Sequence, residues 1–265
     1  MEPRPSVFKR SFTMLSARPA AYAVVAILPY VVAIGLLVLI GRMIHLKPAV
    51  HESWDPVSLW KSMGWGERLL IVLAFIASAT VPSYLAARGV CRMALEQQKD
   101  VRIPLGKVLL DMLRFIPTAV LYFAMIGIPS YLGGWCFVVP GLLITTACAL
   151  IVPAGIDGQL GPLAAIRRGF SLIKRVFGRV LAVYVCFLIF VILGQVVASN
   201  VAGVVAAQSD SPAAMFSALG VWFLITQVAM ALVNIMVTLF YCEARDMGAP
   251  PLVPAVPGVT GGPPG

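Results

Sequence analysis

Long apolar runs alternate with short polar and mostly basic segments along this chain. An apolar run of about 20 residues can cross the hydrocarbon core of a bilayer as an α-helix, because a helix satisfies its own backbone hydrogen bonds. Six runs have this character, at residues 20–44, 69–87, 115–132, 136–156, 180–205 and 218–241. The pattern predicts an all-α fold in which residues 1–247 form one domain of six transmembrane helices.

Proline positions and the composition of the last segment add detail to this architecture. Proline interrupts the hydrogen bonds of a helix, and membrane helices tolerate it because neighbouring helices compensate. We therefore expect kinks at five prolines inside the runs: Pro29, Pro82, Pro129, Pro140 and Pro153. Residues 248–265 are uncharged, rich in proline and glycine and without helical period, which predicts a disordered tail.

The segment "AAIRRGFSLIKRVFGRV", residues 164–180, separates the fourth run from the fifth. Its large apolar residues recur at the spacing of one helix face: Ile166, Phe170, Ile173 and Phe177. Its cations are Arg167, Arg168, Lys174, Arg175 and Arg179. Helices of this kind lie in the membrane interface, with the apolar face toward acyl chains and the cations toward phosphates. The pattern predicts an interfacial helix over 166–179, ahead of the fifth span.

The same basic amphipathic pattern occurs three times. It reads "VFKRSFTML" at 7–15, "PLGKVLLDML" at 104–113 and "AIRRGFSLI" at 165–173, and each copy precedes two apolar runs. The alignment places Arg10, Lys107 and Arg168 at equivalent positions. It predicts three units, each an amphipathic cytoplasmic helix followed by a transmembrane hairpin. Chance similarity among basic amphipathic helices is the competing explanation.

Composition and net charge narrow the class of protein. Of 265 residues, 60% are hydrophobic and 12% are charged, and the mean hydropathy is +0.94. A soluble domain carries about 25% charged residues, so the excess apolar side chains are expected to face lipid. The net charge of +9 is spread between the apolar runs, without a separate basic domain. This distribution favours contact with anionic lipid headgroups over nucleic-acid binding.

Lysine and arginine are distributed unequally between the two sides of the predicted membrane. Sixteen of the 20 lie before the first run, between runs two and three, between runs four and five, or after run six. The other side has only four: Arg42, Lys47, Lys61 and Arg68. Cytoplasmic segments are enriched in these residues, so both termini are predicted to be cytoplasmic. No small-residue cleavage site follows the first run, which predicts a retained signal anchor.

No arrangement of residues typical of catalysis or metal binding is present in the sequence. The two histidines, His45 and His51, are six residues apart, which is no recognised spacing of metal ligands. The five cysteines lack CxxC spacing and are expected to be packing residues. We expect no enzyme activity, no metal and no cofactor. No acid or base lies deep in a predicted span, which argues against ion-coupled transport.

A few polar side chains do fall inside the last two runs. Gln227, Asn234 and Thr238 share one face of the sixth span, and Gln195 lies in the fifth. They are candidates for hydrogen bonds between helices or for a polar groove that receives a lipid headgroup or a peptide. Small residues recur every four positions in spans two and five, which is compatible with tight internal packing or with a homo-oligomer.

The stretch from residue 134 to 183 resembles a bacterial membrane family. Pro140-Gly141 opens the fourth run, Pro153 lies near its end, and a glycine-rich turn leads to the basic "AIRRGFSLIK" helix. With the ending "LFYCEARDMG" at 239–248, this pattern resembles the membrane domain attached to some glycerophosphoryl diester phosphodiesterases, and its stand-alone relatives. The resemblance covers about the last half of the chain. It implies a six-span bacterial inner-membrane protein, and the phosphodiesterase chemistry of that family belongs to a separate soluble barrel.

These observations lead to two functional expectations. The first is a non-catalytic integral membrane protein that binds anionic lipid or supports an envelope assembly or a membrane protein partner. The alternative is a transporter or channel-like protein for a lipid, peptide or small solute, which would use the polar face of spans five and six. The expected lipid-interface residues are Lys9, Arg10, Lys107, Arg167, Arg168, Phe170, Lys174 and Arg175.

Overall fold

A computed structural model describes residues 6–45, 64–136, 138–208 and 212–247, and the regular elements within these ranges are all helical. The α-helices are α1 (Val7–Ala17), α2 (Pro19–His45), α3 (Trp65–Gln98), α4 (Leu105–Arg114), α5 (Ile116–Tyr122), α6 (Ile128–Cys136), α7 (Val138–Cys148), α8 (Ile151–Asp157), α9 (Pro162–Gln208) and α10 (Pro212–Asp246). A π-helical turn, Phe123–Gly127, connects α5 to α6. The predicted all-α class is confirmed for this part of the chain, whereas the predicted tail 248–265 lies outside it.

Five segments of the described helices are long and apolar enough to cross a membrane: Pro19–Leu36, Ile116–Gly133, Val138–Asp157, Pro162–Val204 and Gly220–Asp246. They correspond to the first, third, fourth, fifth and sixth predicted runs. The second run, 69–87, lies within helix α3, and the side chains of 69–76 are outside the described part. These five helices are consistent with a multi-pass membrane protein, and the sixth span stays a prediction.

Helix α9 differs from the predicted division into an interfacial helix and a fifth span. It contains 47 residues without a break. Its length is about 70 Å, more than twice the hydrocarbon thickness of about 30 Å. Pro162 occupies the first helical position, where its missing N–H is not needed, and no other proline occurs up to Gln208. Because no strong helix breaker separates the two segments, the basic segment and the apolar run form one helix.

The third and fourth spans are interrupted where proline was expected to bend them. Pro129 cannot donate a hydrogen bond to the carbonyl of residue 125, which lies in the π-helical turn. Pro153 likewise provides no N–H for the carbonyl of Ala149, which lies between α7 and α8. By contrast, Pro29 and Pro82 lie inside the continuous helices α2 and α3. Of these four prolines, only Pro129 and Pro153 accompany an interruption of the helix, and both lie in the two segmented spans.

The three basic segments of the sequence lie in α1, in α4 and in the first part of α9, and these are called the basic helices. Most of the buried core lies toward the end of the bundle that carries them. Two clusters form it, one around Tyr122, Ile151 and Tyr241 and the other around Tyr22 and Ile235. Helices α3 and α10 contribute to both clusters. Toward the opposite end, the described parts of α2, α9 and α10 expose many large apolar side chains. Exposure of this kind is expected of surfaces that face acyl chains.

Candidate functional site

The basic part of α9 packs most of its apolar face against protein, which corrects the predicted contact with acyl chains. Ile173 is buried, and Ile166 and Phe177 are half-buried against the same core. Only Phe170 of the four predicted anchors is largely exposed, at 42%. The apolar faces of α8 and α10 lie at the same level and cover this side of the helix. The sequence pattern identified an apolar face, but most of what covers it is protein.

A glycine permits the close approach of α9 to α8. A Cβ atom added at Gly169 would lie 2.9 Å from Cγ1 of Ile151 and 3.1 Å from its backbone N and Cα. Such distances are shorter than ordinary van der Waals contact, so residue 169 has no room for a side chain without movement. Gly178 lies further along the same helix, and a Cβ there would meet nothing within 4 Å. The first glycine therefore has a packing role that the second lacks.

Exposed apolar side chains accompany the cations on all three basic helices. Phe8 and Phe12 are exposed on α1, Leu113 is exposed on α4, and Phe170 is exposed on α9. Helix α4 is followed directly by α5, with which the third span begins. These side chains are therefore arranged as anchors of interfacial helices are, with apolar groups beside cations near the start of a span.

The cations expected to contact lipid fall into two groups. Arg175 donates from Nη1 to the carbonyl of Ala244 at 3.0 Å, so its guanidinium already has a protein partner. The others form no ion pair with an acidic residue in the described part of the chain: Lys9, Arg10, Lys107, Arg167, Arg168 and Lys174. Cations without an acidic partner retain their charge for an external anion.

A groove of about 500 Å³ lies between the end of α3 and helix α4. Arg102, Lys107 and Arg114 line it, and none of them is paired with an acid among the residues that the structure describes. The two acids at its wall, Glu96 and Asp111, are already held in ion pairs with arginines of α3. The groove is therefore net cationic, and it also has apolar residues in its lining. It suits an anionic group attached to an apolar body.

Asp157, the last residue of α8, joins three helices at the basic end. Its carboxylate accepts hydrogen bonds from the Tyr241 hydroxyl and from Nη1 of Arg245, both at 3.0 Å. Nζ of Lys99, just after α3, lies 3.6 Å from the other carboxylate oxygen. The side chain of Asp157 is largely buried, so these partners compensate the loss of its hydration. These interactions hold the end of α3, which borders the groove, to α8 and α10.

A second concave site, a cavity of about 310 Å³, lies inside the bundle. Helices α3, α7, α8, α9 and α10 and the segmented third span line it. Four tyrosines of the described chain line it, and one of them is Tyr131. The other three, Tyr84, Tyr122 and Tyr184, share its wall with Ser130 and Asn234. No hydrogen bond joins their side chains to another residue in the described ranges, and Oγ of Ser130 is fully covered. Among the residues that the structure describes, none of those lining the cavity is charged.

The chain has no match among protein-family models, curated proteins or solved structures. The resemblance to the membrane domain of glycerophosphoryl diester phosphodiesterases therefore stays a prediction. Within the described ranges, no three His, Cys, Asp or Glu side chains come together in a group that could hold a metal ion. The described residues offer unpaired cations at the groove and hydrogen-bonding groups at the cavity.

The structure separates the predicted polar residues of spans five and six. Gln227, Asn234 and Thr238 are buried on α10, and Thr238 donates to the Asn234 carbonyl at 2.8 Å. Gln195 is exposed on α9, where its amide lies 3.4 Å from Oγ of Ser199 on the same helix. Of the four, only Asn234 lines the cavity. The predicted set therefore contributes one residue to a site whose other polar groups come from different helices.

The cavity tyrosines were not predicted from the sequence. Tyr84, Tyr122 and Tyr184 lie in or beside apolar runs, where tyrosine is expected to anchor a helix at the membrane interface. Pro129 and Pro153 could have indicated a cavity, because membrane helices are interrupted where their backbone lines one. The convergence of three distant tyrosines requires knowledge of how the helices pack.

Proposed function

We propose that this chain is a non-catalytic, multi-pass protein of a bacterial inner membrane whose basic face binds anionic lipid headgroups. The observation that carries the proposal is the groove beside α4, where Arg102, Lys107 and Arg114 lack acidic partners in the described part of the chain. Both termini lie in the cytoplasm in this proposal, which places the groove at the inner leaflet, where anionic lipid is abundant.

Charge and apolar surface support this assignment together. Each cation near an anionic membrane contributes about 1 kcal/mol, and the effect is screened beyond a Debye length. Exposed Leu110 and Leu113 on α4 give the acyl chains of a bound lipid apolar surface beside the cations. The exposed Phe8, Phe12 and Phe170 extend the same combination to α1 and α9. Support of an envelope assembly or a membrane partner is compatible with such lipid binding.

The transport alternative loses its predicted route, because Gln195 does not join the polar residues of α10. A path for a solute would have to use the cavity that Asn234 borders. The cavity by itself supports binding, which is a weaker claim than passage across the membrane. Lipid binding at the basic face is therefore the function that the geometry supports best.

Native mass spectrometry of the full chain tests the proposal, after release from nanodiscs that contain phosphatidylglycerol and phosphatidylcholine. We expect the wild-type protein to retain phosphatidylglycerol in preference to phosphatidylcholine. The variant Arg102→Gln/Lys107→Gln/Arg114→Gln should lose about tenfold or more of this preference, since three cations together contribute up to about 3 kcal/mol. Lys47→Gln/Lys61→Gln, which removes cations predicted on the opposite side, should change it little. Equal retention of both lipids by the wild-type protein contradicts the proposal.

A further inference from the structure

We infer that the cavity inside the bundle holds the ester or hydroxyl region of one uncharged lipid of the diacylglycerol type. The inference concerns a different site and a different ligand from the anionic lipid at the basic face. It rests on unpartnered polar groups, on the absence of charge around the cavity in the described chain and on its position between apolar spans.

Three side chains around the cavity are nine-tenths buried without a hydrogen-bond partner among the described residues. Tyr122 is 2% exposed, Asn234 is 7% exposed and Tyr184 is 9% exposed. A buried hydroxyl or amide without a partner costs free energy, and the hydrocarbon core supplies no water to replace the partner. Groups of this kind are normally satisfied in folded proteins. A ligand with oxygen atoms in the cavity would accept hydrogen bonds from both phenols and from the amide.

The interrupted spans add further polar groups at the same place. Ser130, next to Pro129, lines the cavity, although its Oγ is covered by protein atoms and a ligand would reach it only after a change of rotamer. Ala149 also lines the cavity, and Pro153 provides no N–H for its carbonyl. Non-helical or irregular backbone at membrane depth occurs where it lines a cavity. The cavity therefore offers both donors and acceptors, which suits a ligand with hydroxyl and ester groups.

The lining determines the charge of the ligand. An ionised group would lose its hydration on entering the cavity, and the described part of the chain places no charged side chain in the lining to compensate for this loss. A phosphate headgroup is thereby disfavoured. The apolar part of the lining, which includes Ile126, Val152 and Met230, suits the first carbons of acyl chains.

The size and the surroundings of the cavity favour a lipid as the source of these oxygens. Its volume of about 310 Å³ lies at the lower end of ligand sites and accommodates part of a lipid rather than all of it. Tyr131, Thr145 and Cys148 at its wall are only half-buried, so the cavity is not closed at α6 and α7. Outer faces of these two helices expose Leu132, Val138 and other apolar side chains. Acyl chains can leave the cavity there toward the bilayer.

Binding of 1,2-dioctanoylglycerol to the full chain in nanodiscs, followed by native mass spectrometry, tests the inference. We expect one bound molecule per chain, with binding weakened about fivefold or more in Tyr122→Phe and in Asn234→Leu, because each removes a hydrogen-bonding group. Thr226→Val removes a hydroxyl of α10 that does not line the cavity, and it should bind as the wild type does. Dodecane, which is apolar without oxygen atoms, should not displace the diacylglycerol.

Cysteine modification provides a second measurement on the wild-type protein, so the test does not depend on folded variants. Cys148 lines the cavity, whereas Cys186 is exposed elsewhere on α9. Dioctanoylglycerol should slow the reaction of N-ethylmaleimide with Cys148 at least threefold and leave Cys186 unchanged. Absence of binding, or binding that neither protects Cys148 nor responds to Tyr122→Phe and Asn234→Leu, overturns the inference. Loss of phosphatidylglycerol preference at the basic face leaves it intact, because the two sites share no lining residue.

Discussion

The guanidinium of Arg88 forms two hydrogen bonds with the carboxylate of Asp111, from Nε to Oδ2 at 2.8 Å and from Nη2 to Oδ1 at 3.1 Å. The same guanidinium lies 4.8 Å from the centre of the Phe115 ring. Both side chains are partly buried, and the paired geometry joins α3 to α4. The guanidinium of Arg88 also compensates the negative charge that Asp111 brings to the wall of the cationic groove.

Replacing Asp111 should therefore destabilise the attachment of α4. Asp111→Asn keeps the shape but removes the charge, and we expect it to lower the free energy of unfolding by about 1–2 kcal/mol. The midpoint of thermal unfolding in detergent measures the change. Asp246→Asn serves as the control, because Asp246 is 61% exposed and pairs with its own neighbour Arg245. An unfolding midpoint of Asp111→Asn equal to that of the wild type shows that α4 does not depend on this pair.

The two glycines of the basic part of α9 should respond in opposite directions to alanine. Gly169→Ala brings a Cβ to 2.9 Å from Ile151, and we expect a loss of about 1–3 kcal/mol from overpacking. Gly178→Ala meets nothing within 4 Å, so the better helix propensity of alanine should stabilise the protein by up to about 1 kcal/mol. Thermal unfolding in the same detergent compares both variants. Equal effects of the two substitutions are incompatible with the close packing of α8 against α9.

Labelling of single cysteines tests the proposed orientation. In a background without native cysteines, a membrane-impermeant maleimide added to intact cells should modify Ser53→Cys but not Ser171→Cys. The expectation follows from the sixteen cations on one side of the predicted membrane against four on the other. Both positions should react once the membrane is permeabilised, which controls for access. Modification of Ser171→Cys in intact cells reverses the orientation.

The purified chain should not hydrolyse glycerophosphodiesters. The sequence has two histidines six residues apart, and it contains neither the HExxH motif of metalloproteases nor the GxSxG motif of serine hydrolases. Incubation with glycerophosphocholine and Mg²⁺, Ca²⁺ or Zn²⁺ should release no more glycerol phosphate than the buffer does. Metal-dependent turnover that disappears in His45→Ala or His51→Ala identifies the chain as an enzyme and contradicts the proposed function.

Hydrophobic patterning was sufficient for the helical class and for five segments that are long and apolar enough to cross a membrane, because both depend on the local order of residues. It was not sufficient for the surroundings of a helix face. Ile166 and Ile173 have the spacing of a membrane anchor, yet protein covers most of this face. A one-dimensional pattern records that a face is apolar and leaves open whether lipid or another helix covers it.

The cavity depends on contacts between residues far apart in sequence. Tyr84, Tyr122 and Tyr184 belong to three helices, and nothing in the spacing of these residues indicates that they share a wall. Pro129 and Pro153 did predict the interruptions of the third and fourth spans. The sequence did not indicate that Pro29 and Pro82 would lie within continuous helices. The difference depends on neighbouring helices, which decide whether a carbonyl without its usual partner is compensated.

The length of α9 gives the protein a mechanical property. If an unbroken helix of 47 residues moves as a rigid body, a tilt of 10° about one end moves the other end by about 12 Å. Tyr184 borders the cavity, and Arg167 lies 17 residues earlier on the same helix, about 25 Å away along its axis. A molecule that displaces Tyr184 by tilting the helix therefore also displaces the guanidinium of Arg167.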